Sequence, residues 1–179
     1  MARNPQEWHS IKRARRCACC AREFADGDRY ETFLFAVDGS YQREDYCAAC
    51  RAALDSSAGP DRAAEALSSW KGRFKPEPPK EKEEPIARST VERLLRKYLD
   101  SGEPAHVNFS YILALMLERK RKLLPRDRIV EPGSGRRLVV YEFAGSGETL
   151  LVEDPGLAVG QAREVQKQVR ELLSLEGVH

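Results

Sequence analysis

Two Cys-x-x-Cys pairs, Cys17-Ala18-Cys19-Cys20 and Cys47-Ala48-Ala49-Cys50, are separated by 26 residues and constrain this 179-residue chain more than any other stretch. Two residues between cysteines let both sulfurs of a pair reach one ion, and two such pairs complete a tetrahedron of thiolates. Cys17, Cys20, Cys47 and Cys50 are therefore the expected ligands of one structural Zn²⁺. Four thiolates close the shell, so the ion is expected to hold the fold together rather than to activate water or substrate. An iron–sulfur centre and a redox dithiol are the alternatives, although nothing in the chain has the close cysteine spacing of a ferredoxin. Cys19 lies outside the two-residue spacing and is expected to point away from the metal.

The residues around the cysteines supply the scaffold. Cys17 to Phe24 has the form of a zinc knuckle followed by a covering aromatic, and Ala25-Asp26-Gly27-Asp28 is turn chemistry. Arg29 to Val37 is rich in β-formers, Asp38-Gly39 is a hairpin signal, and Tyr41 to Tyr46 is the return strand. The alanine-rich stretch after Cys47 favours a helix. Knuckle, hairpin and helix, with the second ligand pair in the helix's first turn, resemble a treble-clef zinc finger.

The remainder divides by composition. Residues 1–72 read as the zinc-finger module with a basic N-terminal arm, 73–88 as a linker rich in Pro, Glu and Lys, and 89–179 as an α+β domain. Such a linker would let the second unit sit at variable distance from the finger. In that unit, Val91, Leu94, Leu95, Tyr98 and Leu99 mark one helix; the apolar stretch from Val107 to Leu117 marks a second, ended by Pro125. Strands are expected over Arg128–Glu131, Arg137–Phe143 and Glu148–Val152 as an antiparallel meander, and a last helix over Val159–Leu175. The fold class is α+β: a small zinc finger linked to a unit ordered helix, helix, three strands, helix.

Charge narrows the function classes. Thirty basic residues against 28 acidic leave a net charge of +2, too balanced for a broadly basic nucleic-acid surface. Two local sets remain as candidate nucleic-acid or partner contacts: Lys12, Arg13, Arg15 and Arg16 in the arm, and Arg119, Lys120, Arg121 and Lys122 at the end of the second helix. Trp70 and Phe74, just before the Pro/Glu/Lys run that starts at Lys75, are apolar anchors or partner contacts. No apolar run approaches the ~20 residues that span a bilayer. The polar start, with Trp8 and His9, does not read as a signal peptide, so the expected compartment is the reducing cytoplasm. His9, His106 and His179 have no neighbouring catalytic motif, and Gly145-Ser146-Gly147 lies between strands, as a hairpin turn does.

At the two cysteine pairs and at Trp70-Lys71-Gly72-Arg73-Phe74-Lys75-Pro76, the chain resembles an uncharacterised group of small bacterial proteins. In that group a four-cysteine finger is joined by a proline-rich linker to a second domain with a Leu/Met-rich helix. The resemblance implies an architecture and no activity. The expectation from the sequence is a non-enzymatic binding or adaptor protein that contacts an unidentified protein partner. Nucleic-acid or ribonucleoprotein binding through the two basic sets is the first rival, and an enzyme with its site in the second domain is the other.

Overall fold

The computed structural model describes residues 10–56, 62–76 and 90–175. Within them the chain is mixed α+β, with two antiparallel sheets and four α-helices. The first sheet carries β2 (Arg29–Val37), β3 (Ser40–Cys47) and β4 (Ser68–Arg73) in the order β3-β2-β4. The β2–β3 connection places both Asp38 and Gly39 at positive φ, the turn that Asp-Gly favours between two strands. Helix α1 (Ala48–Ser56) follows β3 directly, and so sets the second cysteine pair at the sheet's end.

The second sheet has the order β1-β7-β6-β5, with β5 (Leu123–Val130), β6 (Arg137–Phe143) and β7 (Thr149–Glu153) forming the meander. Its edge strand is β1 (Ser10–Ile11), which crosses from the N-terminal arm to pair with Leu150 and Thr149. Helices α2 (Thr90–Ser101), α3 (Val107–Arg119) and α4 (Val159–Leu175) cover one face of this sheet. Alternation along the strands explains the packing. Val139, Tyr141, Leu150 and Val152 face the helices, together with Leu95, Leu113 and Val169. Leu138, Val140 and Leu151 face the other way and bury Leu34 and Trp70 of the first sheet. A central strand covered on both faces reads as a near-continuous apolar run, as Leu138–Tyr141 does, with the buried Glu142 the one charged residue before Phe143.

Three expectations change. Ser68–Arg73 is a strand, paired with β2 from Arg29↔Arg73 to Leu34↔Ser68, where the sequence suggested only an aromatic anchor. The strand expected to begin at Arg128 begins at Leu123. Pro125 lies inside it, on the sheet's edge next to an irregularity in register between Pro125 and Asp127, where a missing N–H is tolerated. The two units also do not stand at variable distance, because their sheets share one apolar cluster and the arm supplies a strand to the second sheet. Of the expected linker, Arg73 closes β4 and Phe74 is buried; residues 77–88 lie outside the described residues, as do Trp8, His9 and His179.

Candidate metal centre

Cys17 to Cys20 form a tight turn held by its own backbone. Cys17 N–H donates to Arg22 O at 2.9 Å, Ala21 N–H donates to Cys17 O at 3.0 Å, and Ala21 takes the left-handed conformation with φ 58°. Ala18 N–H donates to Asp45 O at 2.9 Å, which ties this turn to β3 beside Cys47. Cys47 ends β3 and Cys50 lies in the first turn of α1. The result is that the sulfurs of Cys17, Cys20, Cys47 and Cys50 all lie within 4.8 Å of one another. With metal–sulfur bonds of about 2.3 Å, a tetrahedron has sulfur–sulfur edges of about 3.8 Å. The Cys20–Cys47 edge measures 4.0 Å, so the four side chains fit one ion. Cys17, Cys19, Cys20, Cys47 and Cys50 are all free of disulfides, and Cys19 stands outside the cluster, exposed.

The electrostatics suit thiolates. Cys47 N–H donates to Cys17 Sγ at 3.3 Å, and Cys50 N–H donates to Cys47 Sγ at 3.5 Å. Burial pushes the Cys17 thiol up, but the backbone donors of Cys47, Cys20 and Cys19 outweigh it and bring its pKa to about 6. Cys50 moves the opposite way, raised by its contacts with Cys20 and Cys47, with burial adding to the rise. Crowded thiols share protons in this manner, and a cation binding them would displace those protons. An apolar cover completes the site: Phe24, Tyr30 and Phe74 pack with Cys17 and Cys47, and Phe24 stacks on Phe74 with centroids 5.6 Å apart.

The other candidate residues are dispersed. Trp70 and Phe74, singled out as anchors or partner contacts, are 7% and 5% exposed, which corrects the partner role: both are internal. Trp70 Nε1–H donates to Glu142 Oε2 at 2.9 Å across the two sheets. In the arm, Arg13 lies 4.4 Å over the Phe74 ring and donates to Lys75 O, while Arg16 pairs with Glu23 at 2.7 Å. Lys12 and Arg15 are exposed. Arg119, Lys120, Arg121 and Lys122 are exposed too, at the α3–β5 junction, where Lys122 O accepts from Ala144 N–H at 3.0 Å. His106 stacks on Tyr98 at 4.4 Å and its Nδ1 is 2.8 Å from Ser101 Oγ, a local contact within one helix junction.

Sequence reasoning missed the buried polar network between the sheets. The Arg43 side chain is fully buried and donates to Asp45 Oδ1 at 3.0 Å, Gly147 O at 2.6 Å and Thr149 Oγ1 at 2.8 Å; Glu142 lies 3.8 Å away. Asp45 accepts from Thr32 Oγ1 at 2.5 Å and from Ala14 N–H at 2.9 Å. Glu142 accepts from Arg126 at 2.8 Å. A signal existed in the hairpin: residues two apart share a face, so Arg43 and Asp45 had to point the same way as Cys47. Among the described residues no helix is long and apolar enough to cross a membrane. The chain matches no protein-family model, no curated protein and no solved structure.

Proposed function

We propose that this chain is a non-enzymatic binding protein whose finger is held by one structural zinc ion on Cys17, Cys20, Cys47 and Cys50. The observation that carries the reading is the cluster of four sulfurs, each within 4.8 Å of the others. Four thiolates fill a tetrahedral shell and leave no position for a reacting group. The order of knuckle, hairpin and helix supports a treble-clef arrangement, with α1 presenting the second ligand pair. Backbone donors to Cys17 and Cys47 offset the excess negative charge that four thiolates leave on the ion. The ion would supply folding free energy that five buried side chains around Phe24 cannot. A reduced thiolate cluster also supports a cytoplasmic setting.

The test is elemental analysis of protein purified without added metal. One zinc per chain is expected. Cys47→Ser should lose it and Cys19→Ser should keep it. Iron in place of zinc, or a folded wild-type protein that holds no metal and takes none up, would overturn the proposal.

A further inference from the structure

A solvent-open cleft of about 720 Å³ lies where α1 meets the ends of β2 and β4. Arg29, Arg51, Lys71, Arg73 and Arg126 line it, against the single carboxylate of Glu31. That carboxylate is already shared, 3.7 Å from Arg51 Nε and 3.9 Å from Lys71 Nζ. Arg126 is paired with Glu142 at 2.8 Å, and positive charge is still in surplus there, although the whole chain is near neutral at +2. The sheet register adds an independent observation. Arg29 and Arg73 are direct partners across β2 and β4, so their side chains leave the same face side by side. Like charges placed directly opposite destabilise a strand pair, and an anion bound between them would relieve that cost.

We infer that this cleft binds the phosphate backbone of a nucleic acid, an assignment that rests on the binding-protein reading above and names its partner. Four of the five cations are arginines, whose planar fork matches the paired oxygens of a phosphodiester. The rest of the lining favours backbone over other anions. It consists of Ala48, Ala52, Gly72 and Tyr30, and the Tyr30 ring is buried. Protein partners seat aromatic or Met anchors in pockets, and this cleft offers small residues and charge. A free nucleotide would gain from a ring to stack its base, and no exposed ring lines the cleft. Gly72 leaves room for the buried Tyr30 ring beneath the strand, since a Cβ there would come within 2.6 Å of it. The contact is thus expected to be indifferent to sequence and steep in salt.

The test uses the full chain and short fluorescein-labelled, mixed-sequence oligonucleotides, single-stranded RNA and duplex DNA, read by anisotropy between about 50 and about 200 mM salt. Binding to at least one probe is expected, with affinity falling as salt rises. Arg29→Ala/Arg73→Ala should weaken it about tenfold or more. The same variant should reduce the slope of log affinity against log salt by about 1.4 to 1.8, two lost phosphate contacts. Lys71→Gln, at a side chain 82% exposed, is a second variant that removes one cation without placing a like charge opposite Glu31, and it should weaken binding as well. Absence of binding, a flat salt response, or labelled polyglutamate binding as tightly as the oligonucleotides would overturn the assignment. So would loss of binding in Lys12→Ala/Arg15→Ala/Arg16→Ala with the cleft variants unchanged. Zinc content of the same samples separates the two readings: a zinc-loaded chain that ignores both probes removes the cleft alone, and a metal-free chain that binds them removes the finger alone.

Discussion

The finger and the second unit solve the problem of a small core in opposite ways. Among the described residues, the apolar cluster around the cysteines has five buried members, while the one beneath the helices has sixteen. The larger cluster suffices to order a sheet and three helices by burial alone. The smaller one has Phe24, Tyr30 and Phe74 and must borrow order from elsewhere. It has two sources: the four-cysteine cluster at one end and the interface with the second sheet on its inward face. The difference teaches that the cysteine cluster and the interface are complementary supports for the same hairpin, so disturbing either is felt by the other.

Metal removal is the hardest test of that comparison. A structural zinc site is worth on the order of 10 kcal/mol in isolated finger peptides. Chelation is expected to abolish amide-exchange protection from Cys17 to Cys50. Protection in residues 138–152 should fall too, because Leu34 and Trp70 cover Leu138, Val140 and Leu151. Unchanged protection in that sheet would break the comparison and make the two units independent.

The interface is the next largest effect. Arg43→Ala leaves Asp45 and Glu142 in a buried site with their shared cation gone. Removing one partner of a buried charge network costs about 3–5 kcal/mol. Glu142 keeps Arg126 at 2.8 Å and the Trp70 donor, whereas Asp45 loses its ion-pair partner, so Arg43→Met/Asp45→Asn is expected to recover part of the loss in denaturant melts. A loss under about 1 kcal/mol for Arg43→Ala would show that water replaces the guanidinium, and the interface would then rest mainly on the apolar cluster around Leu34 and Trp70.

What could be read in the sequence divides along the same line. The cysteine cluster was legible because metal geometry demands ligands at fixed spacing, and Asp38-Gly39 fixed the hairpin through its turn. The meander and the helices over Thr90–Ser101, Val107–Arg119 and Val159–Leu175 were legible from periodicity. The Arg43 network was not, because nothing local tells a buried arginine from a solvated one until its strand's face is known. Ser10–Ile11 and Ser68–Arg73 were not legible as strands either. Two residues carry no period, and Ser-Ser-Trp-Lys-Gly-Arg has few β-formers; both are strands because a neighbouring edge offers hydrogen bonds. The basic cleft was hidden for a related reason: its cations come from β2, α1, β4 and β5, scattered from Arg29 to Arg126.

The smallest expected effect sharpens the comparison through pH. Tyr41 O–H donates to Glu131 Oε1 at 2.9 Å, a second link from the hairpin to the β5–β6 turn. Burial would raise the Glu131 carboxyl, but hydrogen bonds from Ser134, Arg136 and Tyr41 outweigh it and hold the group below its ordinary value. A depressed carboxylate contributes stability that is present above its unfolded pKa, about 4.3, and lost as pH falls through the folded value. Tyr41 is shifted upward, by burial first and then by Glu131, so it stays a neutral donor throughout this range. Tyr41→Phe is therefore expected to cost about 1.5 kcal/mol at neutral pH, the low end for a bond to a charged acceptor, because Glu131 keeps Arg136 at 2.7 Å. Below the ordinary carboxylate range the gap between variant and wild type should narrow, since a protonated Glu131 accepts only a neutral hydrogen bond. A gap that stays constant from neutral to acid pH would mean that Tyr41 acts by packing, and that Arg43 carries the hairpin's electrostatic link to the second sheet.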